Sequence, residues 1–348
     1  MGVGSPSGFE EPMMITLMSE LEPLVDKVYE TSRGNVIGFR KGSNPDAPSI
    51  AIVAHMDQVG FVVSNIDERG FIRFRKLGWP ATRAIQGQQM RLLTEKGPVV
   101  GVVGVKPVHI MKPEERSTIP PIEDMYIDIG AWSMDEVEKI GVTIGTPIVY
   151  NCQPIVLANN LISSPGIDDK GGCTALIATA KMLKDIQIPA SVYYIGSVEE
   201  EPGLRGAQVV LHDLKVDMAV AIDTVPAGWQ PDVMIRDLFY EIGKGPGIHI
   251  GNIIRDTTII QHHKVRKWLV DTAKQKGIPF QMGLMHGATD SLAFMQTRTG
   301  IPSATLGLPR RYAHSPVEVF DLNDLTNLVE LLIAALKRLD ASFNIHRI

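Results

Sequence analysis

His55 and Asp57 close a short apolar run, Ser49-Ile50-Ala51-Ile52-Val53-Ala54-His55. Glu199-Glu200-Glu201 follow the β-forming run from Ser191 to Val198, and Asp223 follows Met218 to Ile222. Asp168-Asp169 stand at a glycine-flanked turn before Lys170-Gly171-Gly172, and His314 lies in Arg311-Tyr312-Ala313-His314-Ser315-Pro316. In open α/β sheets functional groups sit just beyond the carboxyl ends of strands, so these acids and histidines are predicted to meet at one sheet edge. Imidazole and carboxylate suit zinc, cobalt or manganese, and no thiolate is needed. Several acids crowded together repel one another and call for a compensating cation. Each residue also has a plainer reading. A histidine at a strand end serves structure, a triple glutamate makes a solvated turn, and Asp168-Asp169 cap the helix that follows.

The elements that must position these groups follow from periodicity. Helices are predicted from about Phe9 to Tyr29, Ile167 to Asp185, Gly203 to Leu214, Thr257 to Lys276 and Leu322 to Leu339. Buried strands are predicted at Ser49–His55, Ser191–Val198, Met218–Ile222 and Pro302–Leu306. Between about Phe61 and Asn160 the character changes to short β-rich runs, Gly60–Asn65, Gly70–Leu77, Gln88–Thr94, Val99–Val105 and Ile148–Ile155, with a hairpin turn at Glu95-Lys96-Gly97-Pro98. That middle reads as a small β-barrel or sandwich inserted into one α/β domain. The segments 229–236 and 249–257 read as loops near the site.

Composition narrows the function classes. The chain has 348 residues, enough for about two domains. Its 34 Lys+Arg against 39 Asp+Glu give a net charge of −5, which argues against binding a phosphate backbone. Aromatics at 6% are too sparse for a platform that stacks single strands. Two cysteines cannot build a disulfide framework, so a reducing compartment is the default. The first residues lack a basic stretch followed by an apolar core, and no run approaches a bilayer span. The expectation is a cytoplasmic protein with neither nucleic-acid nor membrane partners.

Taken together, the blocks resemble the tetrahedral aminopeptidases, the glutamyl and leucyl aminopeptidase-like group of dinuclear metallopeptidases, some of whose members are labelled endoglucanases. Ala54-His55-Met56-Asp57-Gln58-Val59-Gly60-Phe61, Gly166-Ile167-Asp168-Asp169-Lys170, Glu200-Glu201-Pro202-Gly203-Leu204-Arg205-Gly206-Ala207, Ala221-Ile222-Asp223 and the His314 block occur in the family's order. The resemblance covers essentially the whole chain. It implies a three-layer mixed-sheet α/β catalytic domain of zinc-peptidase type (1–62 and 159–348) with an inserted β-barrel-like dimerisation domain (63–158). It implies two divalent ions per subunit, zinc first, with cobalt or manganese as alternatives. His55, Asp168 and Asp223 would hold one ion; Asp168, Glu201 and His314 the other. Three carboxylates against two divalent ions leave the site positive, which favours a bridging hydroxide and a developing oxyanion. Glu200 would be the general base, Asp57 would orient His55, and a cis peptide would link Asp168 to Asp169. The implied partners are short peptides and copies of the chain itself, as dimers built into a dodecamer.

Three positions depart from the family pattern: Glu199 stands for Gln, Pro202 for a branched apolar residue and Lys170 for Arg. His286-Gly287-Ala288-Thr289-Asp290 partly matches a Gly-Gly-Thr-Asp loop, although Asp290 would serve equally as a helix N-cap. Two other functions stay open at this point. Asp168-Asp169-Lys170-Gly171-Gly172 partly matches a block of metal-dependent deacylases, which act on N-acyl or small amide substrates. A non-catalytic assembly protein on the same fold is the third reading.

Overall fold

The structure is a computed structural model and describes residues 2–234 and 236–348. Among the described residues, twelve strands form one mixed sheet. Its centre is four parallel strands in the order Val192–Ser197, Ile50–His55, Met218–Pro226 and Ser303–Arg311. Successive side chains of a strand point to opposite faces. Ile50, Ile52 and Ala54 therefore enter one apolar core while Ala51 and Val53 enter another. Both faces are covered, which is why these strands read as unbroken apolar runs. Helices Glu11–Leu21, Ile167–Leu183, His263–Lys276 and Leu322–Lys337 pack on the first face. The short helices Ala207–Val210 and Asp290–Phe294 pack on the second, completing three layers. Close approach is part of the design. A Cβ at Gly196 would lie 2.3 Å from Leu17 Cδ2, so only glycine lets the first helix rest on that strand.

Six antiparallel strands close the barrel, in the order Gly60–Ile66, Ile72–Leu77, Ile127–Asp128, Gly97–Val103, Gln89–Thr94 and Pro147–Tyr150. Phe61 anchors its interior, edge-on to Phe74 at 5.3 Å and to Tyr150 at 5.6 Å. The hairpin turn is Glu95-Lys96 alone; Gly97, at φ +110°, already pairs with Thr94.

Local sequence misleads in several places, each for a physical reason. The first helix stops at Leu21, because Pro23 has no N–H with which to extend it, and Lys27–Glu30 becomes an edge strand against Val36–Arg40. In the 203–214 segment only Ala207–Val210 is helical; Gly203 and Leu204 take φ of 122° and 60° and make a turn instead. Thr257–Ile260 is a β-branched strand paired with Gly247–Ile254, and the helix starts only at His263. The 249–257 segment is therefore mostly strand rather than loop. The 229–236 segment contains residue 235, which lies outside the described residues. Met218–Pro226 runs past Ile222, so Asp223 projects from within the strand.

His249 lies on the strand Gly247–Ile254, fully buried against the Tyr240 ring at 5.4 Å, and neither ring nitrogen has a hydrogen-bond partner among the described residues. Burial pushes its pKa from 6.5 down to about 3. The unfolded chain takes up this proton near 6.5 and the folded one resists it. Stability tied to His249 is therefore complete above that pH and falls by about 1.4 kcal/mol per unit as pH drops toward 3. His249→Phe is expected to flatten the loss between pH 6 and 4 in urea denaturation. Parallel profiles for the two proteins would contradict this.

Candidate metal centre

The carboxyl ends of the parallel strands bring the acids and imidazoles into one group. His55, Asp168 and Asp223 each offer a ligand atom within 4.8 Å of the others, and so do Asp168, Glu201 and His314. Asp168 is common to both sets and turns one oxygen to each. Its Oδ1 lies 3.1 Å from His55 Nε2 and its Oδ2 lies 3.2 Å from His314 Nε2. Asp223 Oδ1 is 3.9 Å from His55 Nε2, and Glu201 Oε1 is 3.6 Å from His314 Nε2. Glu201 Oε1 is buried without a hydrogen-bond partner among the described residues. An orphaned carboxylate oxygen facing an imidazole is what a cation-binding donor set looks like, and two imidazoles with three carboxylates fit divalent zinc, cobalt or manganese.

Local structure holds these groups in place. The Asp168–Asp169 peptide is cis, and both residues have non-helical φ/ψ before the helix proper. Asp169 Oδ1 accepts the Gly172 N–H at 2.9 Å, so the capping role that the sequence allowed for both acids belongs to Asp169 alone. Gly172 is obligatory there, since a Cβ would lie 2.2 Å from Asp169 Oδ2. Asp57 is completely buried and gathers three parts of the site. It accepts the Glu200 N–H at 3.0 Å and the Glu201 N–H at 3.2 Å, and its Oδ1 lies 3.3 Å from His55 Nδ1. The Trp79 carbonyl faces His314 Nδ1 at 3.1 Å, fixing the second imidazole from the barrel side.

Glu318 and Arg310 belong to this centre and were not singled out from sequence. Glu318 accepts the backbone N–H of Asp168 at 3.3 Å and of His314 at 2.8 Å. Arg310 pairs with Asp168 Oδ2 and lies 3.1 Å from Glu318 Oε1. The available signals were the doublet Arg310-Arg311 at the end of an apolar strand and an acid four residues beyond His314.

The electrostatics report an excess of buried negative charge. Burial, reinforced by Asp168, holds Asp223 well above the usual carboxylate range; burial also pushes Glu201 up to about 7. Asp168 goes the other way, because Arg310 and the two imidazoles outweigh its desolvation. Burial opposes charge on His314, yet Glu201 and Asp168 raise its pKa to about 9. Glu200, with Asp223, Glu201 and Asp290 nearby, is held well above the ordinary range, chiefly by burial. It lines a cleft of 570 Å³ together with Asp168, Glu201, Asp223 and His314. Glu199 turns away to pair with Arg33. Asp290 opens the short helix rather than capping it and accepts the Ser197 hydroxyl behind the site.

With the geometry in hand, similarity to known proteins can be stated. Residues 34–331 match the family model of the M42 glutamyl aminopeptidases. The chain is 32% identical over 337 residues to the lysyl aminopeptidase of Pyrococcus furiosus, covering 96% of this chain and 93% of that one. It is similar to the aminopeptidase APDkam598 of Desulfurococcus kamchatkensis, with a TM-score of 0.93, 34% identity and coverage of 98% and 93%. It is also similar to the TET1 peptidase of Pyrococcus horikoshii, with a TM-score of 0.86, 31% identity and coverage of 97% of each chain.

Deleting one partner of a buried ion pair strands the other. Glu318→Ala is expected to cost about 3–5 kcal/mol in chemical denaturation of metal-free protein, because it leaves Arg310 and two backbone N–H groups short of an acceptor. A loss below about 1 kcal/mol, the level of an exposed pair, would contradict the clasp assigned to Glu318.

Proposed function

The chain belongs to the M42 glutamyl aminopeptidase family, and from that premise we propose a dinuclear metal-dependent aminopeptidase that removes residues from the amino ends of short peptides. It is a peptidase; the number of ions, their identity and the proton path are our reading. The observation that carries it is the shared Asp168, one oxygen toward His55 and Asp223 and the other toward Glu201 and His314. The donor set supports two ions, with zinc first and cobalt or manganese as alternatives. When bound, such a pair supplies an acidified water and polarises the scissile carbonyl.

The remaining work falls to this chain's own side chains. Glu200, which lines the cleft beside Asp168 and Asp223, takes the proton from the attacking water and delivers it to the leaving amine. Asp57 fixes the backbone of Glu200 and Glu201, so the base and a ligand move as one unit. Glu318 does the same for Asp168 and His314.

An inserted domain near 63–158 is supported by barrel strands that run from Gly60 to Tyr150, with both edges lying earlier in the chain: residues 60–62 join the barrel, and Ile155–Val156 pairs in the large sheet. Association of copies through the barrel is supported by exposed Val100, Val102, Val105, Val108, Ile110 and Ile119 on and after one of its strands. The TET1 peptidase of Pyrococcus horikoshii assembles into a tetrahedron or an octahedral shell. A dodecamer built of six dimers is proposed on that likeness. A cytoplasmic setting is supported by the free cysteines Cys152 and Cys173. Among the described residues no helix is long and apolar enough to cross a membrane.

Along with the acids and with His286 and His314, the cleft is lined by Trp79, Pro202, Leu204, Pro226, Met285 and Ala288. This largely apolar lining favours an apolar N-terminal side chain, since burying a charged one against it costs hydration. In a panel of aminoacyl substrates, Leu and Met are expected to exceed Glu and Lys by about tenfold or more in kcat/KM. Equal or better turnover of a charged residue would remove that assignment.

Two further outcomes test the reaction itself. Glu200→Gln should retain its metal while kcat falls by about 10²–10⁴, the range of general acid–base catalysis. Near-full activity would move the base elsewhere. Peptides with a free α-amine should be cleaved in preference to their N-acetylated counterparts. The reverse preference would establish the deacylase reading.

A further inference from the structure

We infer that Arg310 is a positioning residue that makes the two cation positions unequal, the one formed by Asp168, Glu201 and His314 being the weaker. The inference rests on the two-cation reading and adds an order of affinity to it. Arg310 lies at the carboxyl end of the strand Ser303–Arg311, opposite Pro226 of the neighbouring strand, and is only 3% exposed. Three contacts fix its guanidinium. Nε donates to Thr224 Oγ1, one Nη donates to Asp168 Oδ2, and the other lies 3.1 Å from Glu318 Oε1. So pinned and buried, it is not free to meet a substrate carboxylate.

The asymmetry follows from which oxygen it holds. Asp168 Oδ2 is the oxygen that faces His314, and it is already engaged by a full positive charge. Among the described residues, Asp168 Oδ1, which faces His55, has no cationic side chain bonded to it other than that imidazole. A divalent ion on the Glu201–His314 side must share Oδ2 with the guanidinium and bear its repulsion. An ion on the His55–Asp223 side meets the guanidinium's charge at longer range and shares no oxygen with it. The same bond also sets the angle of the shared carboxylate, since Thr224 and Glu318 hold Arg310 rigid.

Cobalt(II) titration of the chelator-stripped full chain, by calorimetry with the visible absorption of bound cobalt followed in parallel, separates the two steps. Native protein is expected to load one ion tightly and a second more weakly, and His314→Ala to lose the weak step while keeping the tight one. Arg310→Met should tighten the second step by about tenfold or more, a modest share of what removing a unit charge a few ångströms away allows. The first step should shift by much less than the second, and Arg310→Lys, which keeps the charge, should stay nearer to native than to the Met variant. Two equal steps in native protein overturn the inference. So does a second step that is unchanged or weakened in a folded Arg310→Met. If that variant does not fold, loss of the tight step in His314→Ala overturns it. Uptake of fewer than two ions by every variant and by native protein overturns the two-cation reading itself.

Discussion

Buried like charge is the constraint on which this structure turns. Asp168, Glu201 and Asp223 are nearly inaccessible to solvent, and Glu200 adjoins them. Carboxylates this close cannot all ionise unless positive charge is brought among them. The protein's own positive groups already lean toward that task. Burial disfavours charge on both imidazoles, yet the neighbouring acids raise His55 well above 6.5 and His314 to about 9. Arg310 stays charged between Asp168 and Glu318. Divalent ions meet the same demand and leave the imidazoles as neutral ligands.

The fold concentrates these charges at low structural cost because each arrives on a rigid element. Four parallel strands place His55, the 199–201 acids, Asp223 and Arg310 along one edge, and the helix Ile167–Leu183 carries Asp168 and Asp169 to it. Asp57 and Glu318 then tie these elements together through backbone N–H groups, so that ligand geometry depends on two clasping carboxylates as much as on the ligands. The segment after the barrel strand Ile72–Leu77 reaches the site too: the Trp79 carbonyl faces His314 Nδ1, and the Ala81 N–H donates to the His314 carbonyl at 3.0 Å.

Much of this was legible in the sequence, for reasons that also explain what was not. Strand Ile50–His55 shows itself as an apolar run closed by polar groups because both its faces are buried. The fold gathers His55, Asp168, Glu201, Asp223 and His314 into two overlapping sets, each with ligand atoms within 4.8 Å, and a carboxylate or imidazole at a strand end is a local signal. Arg310 and Glu318 escaped notice because their roles arise only from tertiary contact: a strand-end arginine ordinarily faces water. Gly247–Ile254 was read partly as a loop because its buried His249 and Asn252 break the apolar pattern. The helix expected over 257–276 failed where Thr-Thr-Ile-Ile found a strand partner.

The central claim is that Asp168 is shared by two cations. Anomalous diffraction at the zinc edge, from crystals of zinc-loaded protein, tests it most directly. The account predicts two peaks about 3.5–4 Å apart, both touching Asp168, one bounded by His55 and Asp223 and the other by Glu201 and His314. A single peak at full loading, or two peaks with Asp168 bound to only one, would contradict it.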